Sequence, residues 1–240
     1  MLHSCKYRLN KYNENQFDSS LSKLHAELRN FVFMSDNVNQ EKRELPIMEH
    51  FFTIQGEGFH SGRAAYFIRT AGCDVGCVWC DVKESWTSSE TQLMSIDAIL
   101  KEVNTVKASF VVITGGEPTM HSLLSLVNLL HDQGIEVAIE TAGVYHLDAP
   151  IDWYCFSPKK FKQPIREAYE KANELKIVVN HVSDLSWAEE HAIQVGSDCR
   201  LFLQVEWEKR EKLMPLVIEY VKSNQKWKIS LQTHKYMNIP

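Results

Sequence analysis

The sequence predicts an α/β fold in which parallel strands are joined by helices, as an open or closed barrel or a doubly wound sheet. From Ile47 onward, short apolar, β-branched runs alternate with amphipathic stretches. Capping residues, glycine and proline mark the changes between them. Hydrophobic residues make up 44% and charged residues 24% of 240, which is enough to bury a sizeable core and too apolar for a disordered chain. Folds of this kind place their chemistry at the C-terminal ends of the strands.

Taken in order, the segment ahead of Leu45 is rich in Asn, Ser, Lys and Glu. The boundary therefore falls near residue 47. Residues 1–46 read as an extension, loosely structured or partly helical through Leu21, Leu24, Leu28 and Phe31, and residues 47–240 as the core. Met34 offers an alternative translation start. Strands are expected at 65–70, 110–114, 135–140, 153–156, 175–179, 201–205 and 227–231. Ser95 can cap a helix carrying Ile96, Ile99, Leu100, Val103 and Val106 on one stripe, and Ser122 can cap a leucine-rich helix closed by Gly134. Two further helices are expected at 184–194 and 209–222, the second started or kinked at Pro215.

Several function classes drop out on charge and hydropathy. Lys and Arg number 26 against 31 Asp and Glu, a net charge of −5 that gives no footprint for nucleic acid. The longest apolar run, 64–68, is far below the roughly 18 residues of a membrane span, and no signal-peptide core is visible. The six cysteines lie at 5, 73, 77, 80, 155 and 199. That clustering, without an export signal, points to the cytoplasm and to metal or redox chemistry rather than disulfides. Cys5, Cys155 and Cys199 read as inert thiols.

Cys73, Cys77 and Cys80 form a C-x3-C-x2-C run just after a predicted strand. Three thiolates on one loop can hold three irons of a 4Fe–4S cluster and leave the fourth open to a ligand, whereas electron-transfer clusters take four. A structural zinc site is the alternative, although it needs four closed ligands. Thr114-Gly115-Gly116-Glu117-Pro118 follows another strand, and its glycines would let the backbone approach a ligand closely. Glu140-Thr141-Ala142-Gly143 and Ser157-Pro158-Lys159 end two further strands. Taken alone, Lys159 is a solvated charge and His234 a surface histidine.

The cysteine spacing, with Trp79 before the last Cys, resembles that of radical S-adenosylmethionine (SAM) enzymes. The Gly-Gly-Glu turn is similar to their motif for the SAM amino group, which would make Glu117 the partner of an ammonium. Gln55-Gly56-Glu57-Gly58, Gly62-Arg63, Arg69 and the run from Gln232 to Pro240 resemble, in combination, the 7-carboxy-7-deazaguanine synthases of the queuosine pathway. The resemblance covers residues 47–240 and implies a partial, modified (β/α)6 barrel and a homodimer. It also implies ring contraction of 6-carboxy-5,6,7,8-tetrahydropterin to 7-carboxy-7-deazaguanine with loss of ammonia, through a 5′-deoxyadenosyl radical made from SAM.

By the same resemblance, Cys73, Cys77 and Cys80 would hold the cluster, and a reduced flavodoxin-like protein would donate electrons. Trp79, Cys80, Asp81, Gly116, Glu117, Glu140, Ser157, Pro158, Lys159, Gln204, Val205, Glu206 and Trp207 would contact SAM. Ile54, Gln55, Gly56, Glu57, Thr114, His234 and the Pro240 carboxylate would contact the pterin, with Arg69 forking onto its carboxylate. Many relatives carry a threonine, resembling a Mg²⁺ ligand, after Cys-Asp. Here Val82 stands there and offers no oxygen, so either the ion is held by the substrate carboxylate, Asp81 and waters, or the substrate is oriented without it. A glycyl-radical activase and a non-catalytic Fe–S or zinc module are the competing readings.

Overall fold

The computed structural model describes residues 44–89 and 92–240. The proposed helix near Leu21–Phe31, Met34 and Cys5 lie outside them. Nine strands form one sheet: β1 (Glu44–Ile54), β2 (Ala64–Thr70), β3 (Leu93–Ser95), β4 (Phe110–Gly115), β5 (Glu136–Thr141), β6 (Trp153–Phe156), β7 (Glu174–Val179), β8 (Arg200–Val205) and β9 (Trp227–Ser230). Among the described residues six α-helices accompany them: α1 (Ile96–Thr105), α2 (Leu124–His131), α3 (Arg166–Lys171), α4 (Asp184–Ala192), α5 (Arg210–Ser223) and α6 (Thr233–Met237).

The strand order is β3-β1-β2-β4-β5-β6-β7-β8-β9. From β2 through β9 every pairing is parallel, while β1 pairs antiparallel with both β2 and β3. The sheet does not close on itself, so the molecule is a partial barrel. Its crossovers carry α1 to α5 except between β5 and β6, where 142–152 is irregular.

Each expected strand is present with its ends moved by a residue or so. The long antiparallel β1 was not expected, because a bulge between Ile47 and Glu49 breaks the alternation that marks a strand. β1 also starts at Glu44, ahead of the Ile47 taken as the start of the core, and buries Leu45. The Ser95 hydroxyl accepts from Ala98 N–H at 3.2 Å and caps α1 as expected, but Val106 falls beyond the helix and is exposed. Ser122 does not cap α2. Asp148 does this from the next connection, accepting from Leu123 N–H at 3.1 Å and from the Ser122 hydroxyl at 2.6 Å. Helix α5 starts before Pro215 and continues through it.

Successive side chains of a strand face opposite ways, and here the two faces differ. The outer face packs Val111, Ile113, Val137, Ile139, Leu175, Ile177 and Leu203 against the helices. The inner face starts apolar at the N-terminal ends, with Ala65, Phe110, Val112 and Ala138 buried together. Two residues further along the same face the character changes to Arg69, Thr114, Glu140, Lys176 and Gln204, which line a cleft.

The open side of the barrel is sealed without strand pairing. Gly56 O accepts from Thr233 N–H at 2.9 Å and from the Thr233 hydroxyl at 3.0 Å. Gly58 N–H donates to the Ser230 hydroxyl at 2.9 Å, and Gln232 Nε2 donates to Glu57 Oε1 at 2.9 Å. The β1–β2 turn is thereby fastened to the segment that follows β9. Gly56 has to be glycine for this contact, since a Cβ there would sit 2.2 Å from His234 Nδ1. No described helix is long and apolar enough to cross a membrane.

Candidate active site

The cleft of about 270 Å³ opens at the C-terminal ends of the parallel strands. Of the residues expected at a site, all but Pro158 line it. Pro158 is buried behind it, with Ser157 and Lys159 on either side reaching the cavity.

The cysteine loop leaves β2 and is stitched to the turn after β4. Gly116 N–H donates to Thr70 O at 3.0 Å and Glu117 N–H to Gly72 O at 2.8 Å, while Cys73 N–H donates to Trp86 O at 3.1 Å. A Cβ at Gly116 would lie 2.2 Å from Gly72 O. The glycine, expected to admit a ligand, lines the cleft and also admits the backbone of the cysteine loop. None of the three thiols is in a disulfide. Burial pushes the Cys73 thiol up. It also pushes Cys77 up to about 11, against the pull of the Lys159 ammonium.

The donor set suits a cluster better than a single ion. Among the described residues no three His, Cys, Asp or Glu side chains converge tightly enough to hold one metal ion. Zinc draws its ligands onto one atom at about 2.0–2.3 Å, whereas a cubane spreads its thiolates over separate irons. Cys155 does not line the cleft, and its thiol lies 3.6 Å from Glu174 Oε1 in the core. Cys199 is likewise absent from its lining, so among the described residues three thiols face the cavity and no fourth joins them.

Glu117, expected as the partner of an ammonium, lines the cleft and also braces it. Only 1% exposed, it accepts from Thr119 N–H at 3.2 Å, the Thr119 hydroxyl at 2.6 Å, Ala142 N–H at 2.8 Å and the Thr141 hydroxyl. Four neutral donors already hold this carboxylate, and together they tie the turn after β4 to the end of β5.

The floor of the cleft is an ion triad that the sequence reading missed. Lys176 Nζ lies 2.5 Å from Glu57 Oε2 and 2.9 Å from Glu140 Oε2. Gln55 Nε2 donates to Glu140 Oε1 at 2.9 Å, and Gln55 Oε1 accepts from Glu57 N–H at 3.0 Å. Burial alone would raise the Glu57 pKa, but the Lys176 ammonium, the Gln232 amide and nearby His234 overcome it and hold the group at about 2. Burial opposes the charge on Lys176 as well, and the two carboxylates more than reverse that effect. Glu140, placed on the SAM side by resemblance, thus belongs with Glu57. Lys176 left one signal in the sequence: a lysine inside an apolar strand that both faces of a parallel sheet would bury.

Around this floor, Arg69 Nε is held by Glu49 Oε1 at 2.6 Å across the β1–β2 pair, and Thr114 sits beside it at the end of β4. His234 packs against Gly56, and burial lowers its pKa. A carbonyl oxygen of Pro240 accepts from the Thr53 hydroxyl at 3.3 Å. On the opposite wall Lys159 Nζ donates to Ser157 O at 2.7 Å and lies 5.7 Å over the Trp79 ring. Trp207 meets Tyr236 edge to face and Arg210 face-on. Lys235 Nζ reaches Asp81 Oδ2 at 3.2 Å, which pairs the candidate Mg²⁺ ligand with a cation.

A family model described as the Radical SAM superfamily matches residues 67–182. The 7-carboxy-7-deazaguanine synthase of Flavobacterium psychrophilum is 50% identical over 201 residues, 83% of this chain and 95% of the relative. The enzyme of the same name from Synechocystis sp. is 42% identical over 194 residues, 81% and 93% of the two chains. That of Escherichia coli K12 is 35% identical over 222 residues, 82% and 99%. A crystal structure of QueE from Escherichia coli is similar with a TM-score of 0.73 and 32% identity, over 80% of this chain and 95% of that one.

Proposed function

This chain belongs to the 7-carboxy-7-deazaguanine synthases of the radical SAM superfamily, and from that membership we propose how its cleft divides the work. The reaction is conversion of 6-carboxy-5,6,7,8-tetrahydropterin to 7-carboxy-7-deazaguanine with loss of ammonia, in the making of queuosine and related 7-deazapurines. The observation that carries the assignment of roles is that one cavity has two unlike walls. Three unbridged thiols face it from the loop after β2, and a polar cradle of Gln55, Glu57, Lys176 and Glu140 faces it from below.

Cys73, Cys77 and Cys80 are the thiolates that hold a 4Fe–4S cluster. SAM rests against Trp79, the Gly116 backbone, Ser157, Lys159 and the stretch from Gln204 through Val205 and Glu206 to Trp207. When bound, the cluster and SAM would supply carbon-centred radical chemistry to the pterin. The protein's own part is placement. Arg69, its plane fixed by Glu49, and Thr114 hold the pterin carboxylate. The Ile54–Glu57 turn, Glu140, His234 and Pro240 frame the opposite edge, where carboxylates accept from N–H donors. Holding the reacting carbon against SAM turns a two-body encounter into a one-body step, and the apolar plug beneath the floor keeps the barrel dry.

Where Mg²⁺ takes part, Asp81, released from Lys235, would hold it together with substrate oxygens and water, since Val82 supplies no oxygen. A reduced flavodoxin-like protein supplies the electrons. The enzyme works as a cytoplasmic homodimer, with the residues ahead of Glu44 an extension to a core that begins at β1. The decisive test is anaerobic. Reconstituted protein given dithionite, SAM and the carboxypterin should yield 5′-deoxyadenosine and 7-carboxy-7-deazaguanine by mass spectrometry. Cys77→Ala should lose the cluster absorbance and both products, whereas Cys155→Ala and Cys199→Ala keep them. Full activity in Cys77→Ala would sink the cluster assignment.

A further inference from the structure

Lys176 is buried to 3% exposure and belongs to none of the expected contacts. Its ammonium sits between two carboxylates of unequal depth. The lysine side chain is 4% exposed, that of Glu57 15% and that of Glu140 21%, so the cation lies beneath and both acceptors face the cavity. Beneath it, Glu174 is occupied by Phe59 N–H and Trp153 Nε1 at 3.1 Å each. One ammonium therefore compensates two carboxylates at the floor, which keeps a net negative charge and acceptor oxygens toward any ligand. Gln55 and Gln232 each donate to one of the remaining oxygens at 2.9 Å, and Lys176 is what joins the two carboxylates to each other.

We propose that Lys176 is a positioning residue that sets Glu57 and Glu140 as a paired acceptor for the N–H edge of the pterin, and thereby the cleft's preference for a ligand with an amino group there. The inference rests on the pterin reading given above. A site built to hydrogen-bond a donor rejects an analogue that lacks it, because its own buried polar groups are then left unpaired. Without the ammonium, two facing carboxylates share a proton or turn apart, and the acceptor pair is lost.

The test compares two stable ligands under anaerobic conditions: 6-carboxypterin, and 6-carboxylumazine, which carries a carbonyl where the pterin has its amino group. Wild type should bind the pterin roughly 100-fold more tightly, the scale set by losing charge-assisted contacts to the acceptors. Lys176→Met should bring the two affinities to within about threefold, with the cluster absorbance retained. A merely structural lysine would weaken both ligands in proportion and leave the preference standing, and that outcome overturns the proposal. If Lys176→Met does not fold, the double variant with Glu57→Gln removes the repulsion along with the cation. It should fold and show the same lost preference, and retained preference there also overturns the proposal. A wild type that makes no 7-carboxy-7-deazaguanine sinks the substrate reading, whereas normal turnover with preference kept in Lys176→Met sinks only the role of Lys176.

Discussion

The turn after β4 and the floor of the cleft each depend on one glutamate, and the two are treated differently. Glu117 is met by hydroxyls and backbone N–H groups, four donors without a charge among them. Glu57 is met by an ammonium and an amide, with its side chain still 15% exposed to the cavity. Neutral donors that surround a carboxylate consume its lone pairs and make it a brace. A cation on one side fixes the charge and leaves the other side to a ligand. The difference lies in the partners, since the side chain is the same.

The largest expected effect tests the brace. Glu117→Ala strands four donors and should destabilise the fold by about 4 kcal/mol, because each buried unpaired donor carries a desolvation penalty. Urea unfolding of the anaerobic protein measures it. Normal stability with weakened SAM binding would instead make Glu117 a ligand group and end the contrast.

Next comes acid. The Glu57 pKa is depressed from 4.5 to about 2, so the stability it contributes is fully present above about pH 4.5 and is lost as pH falls toward 2. The full difference is worth roughly 3 kcal/mol. The gap in unfolding free energy between wild type and Glu57→Gln should shrink over that window, and a gap independent of pH contradicts the charge-paired picture.

Arg69→Ala should weaken binding of the pterin by about 2 kcal/mol, the worth of a charge-assisted contact, while cluster absorbance and SAM cleavage stay intact. Equal loss of SAM cleavage would show that the two walls of the cleft are not separable. The smallest effect is at Val82. Val82→Thr adds one oxygen beside Asp81 and should lower the Mg²⁺ concentration for half-maximal turnover by about fivefold, or ~1 kcal/mol. Strong Mg²⁺ dependence in wild type, unchanged by the new hydroxyl, refutes the reading of Val82.

The parallel strands were legible because each is a short β-branched run between clear breaks, and the cysteine loop because three thiols at fixed spacing have few innocent explanations. What stayed hidden depends on partners far away in the chain. Asp148 caps α2 from 25 residues off, and no local pattern announces it. The six-residue α3 is too short for a periodicity and has no side-chain cap. Glu57, Lys176 and Glu140 are each ordinary in sequence. Their meaning appears only when the turn after β1 reaches strands β5 and β7, across separations of 119 and 36 residues. The Gly-Gly-Glu turn shows the converse: its residues line the cleft, but their bonds to the cysteine loop and to the end of β5 were not visible, because spacing cannot tell a glycine that admits a ligand from one that also admits a neighbouring backbone.

The fastening of Gly56 to Thr233 also orders events in time as the chain folds. From β5 to β9 each strand pairs with its predecessor in sequence, so loop closures are short and the parallel sheet can grow stepwise. The bond between Thr233 and Gly56 closes 177 residues at once. A half-folded chain can therefore own a finished cysteine loop and still lack a seat for the pterin. The capacity to load a cluster matures before the capacity to choose a substrate, and pulse-labelled hydrogen exchange should find the amides of the β2–β4 ladder protected well ahead of that of Thr233.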